Sequence, residues 1–326
     1  MLTVTRGSTP LLELTITEIR ALTLSIRAFK LSAPAAMSLP PFSAGAHIEV
    51  IVTLADGDDA TRSYSLVNSL DQGSHYEIAV LLDREGDGGS VFMHSLREGD
   101  ALRTSAPVNR FPLEVSARRN ILIAGGIGVT PILAMARELA GRTADFALHY
   151  CARDQASMAY REELAQVCGG AASFYFDGGD PARGVDFPAV LAAPDSATHI
   201  FVCGPAGMIE RALDTAKQLD WPRANVHFEL FNQTLAGMRS FEVELSRSGE
   251  TLTVGANESI IEALTAAGYD PVFDCKRGEC GVCAVAVLEG EPEHRDYNLS
   301  DSEKASGDIM CICVSRSKSA RLVLDL

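Results

Sequence analysis

Three cysteines within nine residues constrain this chain more than any other feature. In Asp274-Cys275-Lys276-Arg277-Gly278-Glu279-Cys280-Gly281-Val282-Cys283, four residues separate the first two cysteines and two separate the second from the third. Cys-x4-Cys-x2-Cys followed by a distant cysteine is the plant-type spacing that holds a [2Fe–2S] cluster. The fourth thiolate must come from elsewhere, and Cys311 and Cys313 both lie downstream. A loop that wraps a two-iron core needs small, flexible positions, and Gly278 and Gly281 sit between the ligands. Their amide N–H groups are then free to point at cluster sulfurs and tune the potential. The competing readings are a structural zinc knot, buried cysteines or a disulfide pair. Zinc sites pair two cysteine knuckles or add histidines, and no histidine lies near this loop.

A chain of 326 residues has room for two or three domains, each with its own core. Its 47% hydrophobic and 22% charged residues are those of an ordinary globular protein. No run of about 18 apolar residues exists, so no membrane span is expected. The longest apolar stretch, 121–136, is broken by three glycines and Pro131. Met1 to Arg6 has no apolar signal core, so a cytoplasmic location is expected. Eight cysteines suit a secreted disulfide framework, but a chain this long and this well supplied with hydrophobes does not need one. Cys151, Cys168, Cys203 and one of Cys311 and Cys313 read as small buried hydrophobes. A net charge of −15 argues against a nucleic-acid partner, which needs lysine and arginine patches. Residues 241–326 hold 16 acidic against 8 basic side chains, which serves either solubility or an acidic docking face for a basic partner protein.

From residue 11 to about 112 the pattern is β. Apolar and polar residues alternate over 11–19, 21–31, 47–54 and 76–82, separated by turn clusters at 40–41, 55–58, 71–74 and 86–90. Short strands at this spacing predict a small antiparallel barrel. Inside it lies Arg62-Ser63-Tyr64-Ser65-Leu66. Arginine and tyrosine are commonplace on an edge strand, but the set also suits a flavin. Arg62 offers a charged fork for a phosphate, Tyr64 a flat face for the ring, and Ser65 a hydroxyl. Gly88-Gly89-Ser90 precede a predicted short helix over 91–96, whose first amides would hold a phosphate.

Beyond 113 the pattern changes to alternating strands and helices. Strands are predicted at 121–124, 146–150, 173–176 and 199–203, and helices at 130–140, 158–167, 187–192 and 206–219. This alternation predicts a parallel sheet with helices on both faces. The first strand-to-helix junction, Ala124-Gly125-Gly126-Ile127-Gly128-Val129-Thr130-Pro131, is not the G-x-G-x-x-G fingerprint. Its mechanics are similar: glycines allow close backbone approach, Thr130 suits an N-cap and Pro131 the first helical position. A helix start of this kind faces a diphosphate; otherwise it is only a compact turn. A second junction, Cys203-Gly204-Pro205, should end its strand at the same sheet edge, where open α/β sheets bind ligands. Cys203 taken alone is a buried cysteine.

A polar segment over 232–240 reads as a linker. The last part opens with a hairpin over 241–254, then a helix over 260–267 with a Ser259/Glu262 capping box and Gly268 at its end. The cysteine loop and strands at 284–288 and 320–324 complete an α+β ferredoxin-like grasp fold.

Taken in order, these motifs resemble the class IA reductases of Rieske oxygenases, the family of phthalate dioxygenase reductase and vanillate demethylase reductase. The resemblance runs essentially end to end, including His227-Phe228-Glu229 and the tail from Val314 to Leu326. It implies a flavin-binding β-barrel over 1–112, an NAD-binding α/β domain over 113–231, a linker over 232–240 and a [2Fe–2S] ferredoxin domain over 241–326. It further implies FMN bound by Arg62, Tyr64, Ser65, Leu66, Gly89 and Ser90, with Phe231 shielding the ring. NADH is placed by Gly125, Gly126, Gly128, Thr130, Pro131, Cys203, Gly204 and Pro205. The cluster is held by Cys275, Cys280, Cys283 and Cys313, with Cys311 a non-ligand neighbour. Leu81, Leu82 and Asp87 stand where relatives carry basic residues, and Arg84 supplies part of that charge, so FAD stays open beside FMN. Asp154 disfavours a 2′-phosphate while Arg153 favours one, so NADH is a lean. The implied activity is electron transfer from NADH through flavin and iron to a separate Rieske-type aromatic oxygenase or O-demethylase. A stand-alone electron carrier or redox sensor, and a reductase of soluble ferredoxin, are the alternatives.

Overall fold

Alternating burial along the first strands rolls them into a sheet that meets itself. The structure is a computed structural model that describes residues 11–34, 37–68, 75–231 and 239–326. Strands β1 (Leu12–Ala21), β2 (Ile26–Ser32), β3 (Ala46–Thr53), β4 (Asp59–Ser65) and β5 (His75–Leu81) precede helix α1 (Gly89–Ser95). Strands β6 (Ala101–Thr104) and β7 (Val108–Asn109) follow. The strand path is β4-β3-β6-β1-β2-β5, with β7 also on β3. Its two ends meet where Leu66, just past β4, bridges Ile78 of β5 in antiparallel fashion. The expected antiparallel barrel is therefore a curled sheet whose core is Leu14, Phe29, Ile48, Leu66, Tyr76 and Ile78, all essentially inaccessible. The strand expected over 21–31 is split at 22–25, where the Thr23 hydroxyl accepts from the Ser25 and Ile26 amides at 3.2 and 3.0 Å.

The next elements are β8 (Arg119–Gly125), α2 (Val129–Gly141), β9 (Asp145–Ala152), α3 (Arg161–Cys168) and β10 (Ala172–Phe176). After them come α4 (Phe187–Val190), β11 (Thr198–Cys203), α5 (Ala206–Gln218) and β12 (Val226–Glu229). All neighbours in the sheet, ordered β10-β9-β8-β11-β12, are parallel. The chain winds outward one way from β8 and then resumes on its other side with β11, so the order reverses between β8 and β11. Barrel and parallel sheet together form one compact unit, Met1–Glu229.

The second unit is Leu230–Leu326. The linker expected over 232–240 lies outside the described residues except for its last two. Strands β13 (Phe241–Leu245) and β14 (Thr251–Val254), helix α6 (Ile260–Ala266), β15 (Ala284–Glu289) and β16 (Pro292–Glu293) come first. Helix α7 (Asp301–Ser306) and strands β17 (Ile309–Cys311), β18 (Arg316–Ser317) and β19 (Arg321–Leu324) complete it. The main sheet runs β14-β13-β19-β15-β17, with β13 and β19 parallel. The capping box of α6 forms as expected. The Arg316 side chain is buried and holds this fold from inside. Its guanidinium donates to the carbonyls of Gly255 (2.8 Å), Arg239 (3.0 Å) and Glu258, and stacks 4.9 Å from the Phe241 ring centre. No helix among the described residues is long and apolar enough to cross a membrane.

Candidate cofactor sites

Strand period two puts Arg62, Tyr64 and Leu66 on one face of β4 and its continuation. Arg62 lies against the turn that starts α1: a Cβ built on Gly89 would sit 2.8 Å from Arg62 Cγ and Nε. Any residue but glycine at 89 would push the guanidinium away from the turn. Gly88, left-handed at φ 79°, is the N-cap of α1, and no side chain caps the helix. The helix starts at Gly89 rather than at 91, so Gly89 and Ser90 form its first turn. Guanidinium and first-turn amides thus share one corner of the barrel, which is the donor set a phosphate needs.

The other flavin candidates differ in what they have to offer. The Ser90 hydroxyl donates to the Asp83 carbonyl and accepts from the Asp83 amide, both at 2.9 Å, so it ties the preceding loop. Tyr64 is half-buried on the barrel core, and burial pushes its hydroxyl up to about 12. Ser65 is buried, and Leu66 is wholly buried with its amide donating to Ala46 O at 2.8 Å. Asp87 approaches Arg62 at 3.8 Å and offsets part of its charge. Arg84 is exposed and within electrostatic reach of His94, in the last turn of α1. Phe231 is part of the second unit and partly buried there.

The nucleotide candidates converge at the order reversal between β8 and β11, the place where open α/β sheets bind ligands. Gly128 packs its Cα against the Cys203 carbonyl, and a Cβ there would meet the Gly204 nitrogen at 2.7 Å. A Cβ on Gly125 would meet Met208 Sδ at 2.5 Å and Pro205 Cδ at 2.8 Å. Both strand ends therefore approach backbone to backbone. Thr130 is not the N-cap. Gly126–Gly128 form a 3₁₀ turn, α2 begins at Val129, and the Thr130 hydroxyl donates to Ile127 O at 3.1 Å. Pro131 is accordingly the third helical residue. No side chain caps α2, which leaves its dipole facing the reversal point. At the end of β9, Asp154 accepts from the Ser157 amide and hydroxyl at 2.8 and 2.9 Å, and Arg153 is exposed beside it.

In the second unit the cysteine loop winds through left-handed residues Lys276 (φ 54°), Gly278 (φ 75°) and Gly281 (φ 71°). A Cβ on Gly278 would meet Val314 Cγ2 at 2.7 Å and Asp296 Cα at 2.9 Å, and one on Gly281 would overlap the Asn298 carboxamide. The loop is thus pressed onto segment 296–298. The Arg277 amide donates to Cys275 Sγ at 3.3 Å, the kind of N–H···S contact that a cluster thiolate uses. All eight cysteines are free. Their thiols associate in groups: Cys275 with Cys280, and Cys283 with Cys311 and Cys313. Hydrogen bonds from Cys311 and Cys313 hold the Cys283 thiol far below its ordinary range and push the two donors up. Among the described residues no three His, Cys, Asp or Glu side chains surround one point as ligands of a lone metal ion. Five thiols gather at this loop and the strand end beside it, and a [2Fe–2S] cluster takes four cysteines.

Sequence reasoning had no reason to name Asp296 or Asn298 as supports of this loop, nor Arg316 as a tie inside the second unit. Nor did it see α7, although Ser300 and Glu303 carry the same capping box that revealed α6.

Three family models match in order along the chain. They are an oxidoreductase FAD-binding domain over 13–112, an oxidoreductase NAD-binding domain over 122–173 and a 2Fe-2S iron-sulfur cluster binding domain over 243–318. The chain is 45% identical over 294 residues to vanillate O-demethylase oxidoreductase of Pseudomonas sp. (strain HR199 / DSM 7063), covering 88% of this chain and 91% of that protein. It is 41% identical over 307 residues to phthalate dioxygenase reductase of Burkholderia cepacia, covering 92% and 93%. The solved structure of phthalate dioxygenase reductase, described as modular for electron transfer from pyridine nucleotides to [2Fe-2S], superposes with a TM-score of 0.75. It is 40% identical and covers 97% of this chain and 98% of that one.

Proposed function

Since the chain belongs to the phthalate dioxygenase reductase family, we propose that it is the reductase component of a two-protein oxygenase system. It takes electrons from NADH and passes them through flavin and a [2Fe–2S] cluster to a Rieske-type terminal oxygenase or O-demethylase acting on an aromatic compound, in the cytoplasm. The observation that carries this reading is the presence of flavin, nicotinamide and iron–sulfur modules in one polypeptide. A flavin holds one or two electrons, so it matches a two-electron dinucleotide to a one-electron cluster.

The protein's own task is to bind and orient. Arg62 and the first turn of α1 would neutralise the flavin phosphate, Tyr64 would back the ring, and Ser65 and Leu66 would flank it from the strand. Gly125, Gly126, Gly128, Thr130 and Pro131 bring the start of α2 to the dinucleotide diphosphate. Cys203, Gly204 and Pro205 form the floor beside the nicotinamide. Cys275, Cys280, Cys283 and Cys313 would hold the cluster, which supplies one-electron transfer. FMN is the flavin of choice, and heat release followed by chromatography distinguishes it from FAD. Asp154 and its Ser157 turn favour the free ribose hydroxyls of NADH over a 2′-phosphate. Anaerobic addition of NADH to the purified, cofactor-replete chain is expected to bleach the flavin and then the cluster. Absence of bleaching would eliminate a reductase and leave an electron carrier or sensor.

A further inference from the structure

We propose that Arg137 is a positioning residue for hydride transfer, locking the dinucleotide helix to the exit of the flavin strand. The proposal rests on the reductase reading above. Arg137 lies on α2, two turns beyond the glycine junction, and its side chain is only 10% exposed. One Nη donates to the carbonyl of Val67 at 2.5 Å, and the other pairs with Glu163 on α3. Val67 directly follows Leu66, so the bond grips the chain at the end of the Arg62–Leu66 strand. This is also where the barrel closes, since the Val67 amide donates to Glu77 O at 2.9 Å.

A second tie reaches the same place from α3. Tyr160, its N-cap residue, stands in the left-handed region at φ 57° and donates its hydroxyl to Glu77 Oε1 at 3.0 Å. Arg20 binds the same carboxylate atom at 3.2 Å and stacks 5.7 Å from the Tyr160 ring centre. Two helices of the nucleotide module thereby hold one strand junction of the barrel, by charged, partly buried bonds. A guanidinium bridging a carbonyl and a carboxylate by directed, charge-assisted hydrogen bonds fixes distance and direction, whereas apolar packing would let the modules slide. Transfer between two stacked rings is acutely sensitive to their separation: a displacement of about 1 Å costs on the order of a hundredfold in rate. Arg137, Glu163 and Tyr160 are bonded to protein partners and are not among the cofactor-site residues, so loss of the lock should change rate without changing binding.

The test is single-turnover flavin bleaching by NADH in Arg137→Met, Arg137→Lys and Tyr160→Phe. Arg137→Met should bleach at least about tenfold more slowly. Its flavin content, bleaching by dithionite and dissociation constant for NAD+ should stay those of the wild type. Arg137→Lys, which keeps a donor for Val67 O, should recover most of the rate. An unchanged rate in Arg137→Met overturns the proposal. So does a loss matched by lost flavin or weakened NAD+ binding, which would mark a general structural role. Should Arg137→Met fail to fold, Tyr160→Phe decides: slower bleaching with intact cofactor content supports the lock, and a wild-type rate refutes it. If wild-type protein itself is not bleached by NADH, the reductase reading falls and this proposal with it. Normal wild-type bleaching beside an unimpaired Arg137→Met removes this proposal alone.

Discussion

A single methyl group at residue 278 would meet Val314 and the backbone of Asp296, on a residue already at φ 75°. The left-handed backbone alone costs about 1–2 kcal/mol for a non-glycine residue, and the overlap adds to it. Gly278→Ala is therefore expected to lower the thermal midpoint of the second unit and its iron content, measured by calorimetry and iron assay. The choice of fourth ligand is also decided residue by residue. Cys311 ends β17, paired with Ala284 of β15. Cys313 follows the strand and receives a hydrogen bond from the Gly278 backbone in the cysteine loop. Cys313→Ser should lose the visible spectrum of the cluster and Cys311→Ser should keep it; the reverse pattern would exchange their roles.

Among the elements, the short helices of the second unit depend on their caps. In α6 and α7 the N-cap serine accepts from the amide three residues on, while the glutamate there reaches back. Ser259→Ala should cost about 1 kcal/mol, read from denaturant unfolding of the second unit. In the parallel sheet, β11 and β12 are joined by a histidine pair, with His199 Nδ1 2.9 Å from His227 Nε2 and Phe201 stacked on His227. Burial first, then the His199 and Arg223 charges, pushes His227 down to about 4. The unfolded chain takes up this proton near pH 6.5, the folded chain only near 4, so stability is lost as pH falls through that window. Thermal midpoints recorded from pH 7.5 to 5 should fall less steeply for His227→Gln than for the wild type. The expectation of one unbroken strand over 21–31 fails here too. The turn at 22–25 is made by the Thr23 hydroxyl, with neither glycine nor proline to mark it.

For the molecule as a whole, half of the net charge of −15 belongs to the last quarter of the chain, −8 from residues 241–326. Electrostatic steering toward a basic oxygenase predicts that coupled turnover slows as salt rises, because exposed charges are screened over about 8–10 Å at physiological ionic strength. Flavin bleaching by NADH, which needs no partner, serves as the internal control. Coupled turnover insensitive to salt would assign the surplus to solubility instead.

The spacing of Cys275, Cys280 and Cys283, the glycines at 125–128 and the change from period-two to helical patterning all act through neighbours in the chain. For that reason the three modules and their order could be read before any coordinates. Other features need partners tens of residues apart. The reversal of strand order that faces Gly128 with Cys203, the start of α2 at Val129 in place of a Thr130 cap, and Arg137 reaching Val67 all belong to this kind. So does Arg316 inside the second core. Periodicity records which face of an element is buried, but not what it is buried against. Only the folded chain brings those surfaces together and settles which bonds they make.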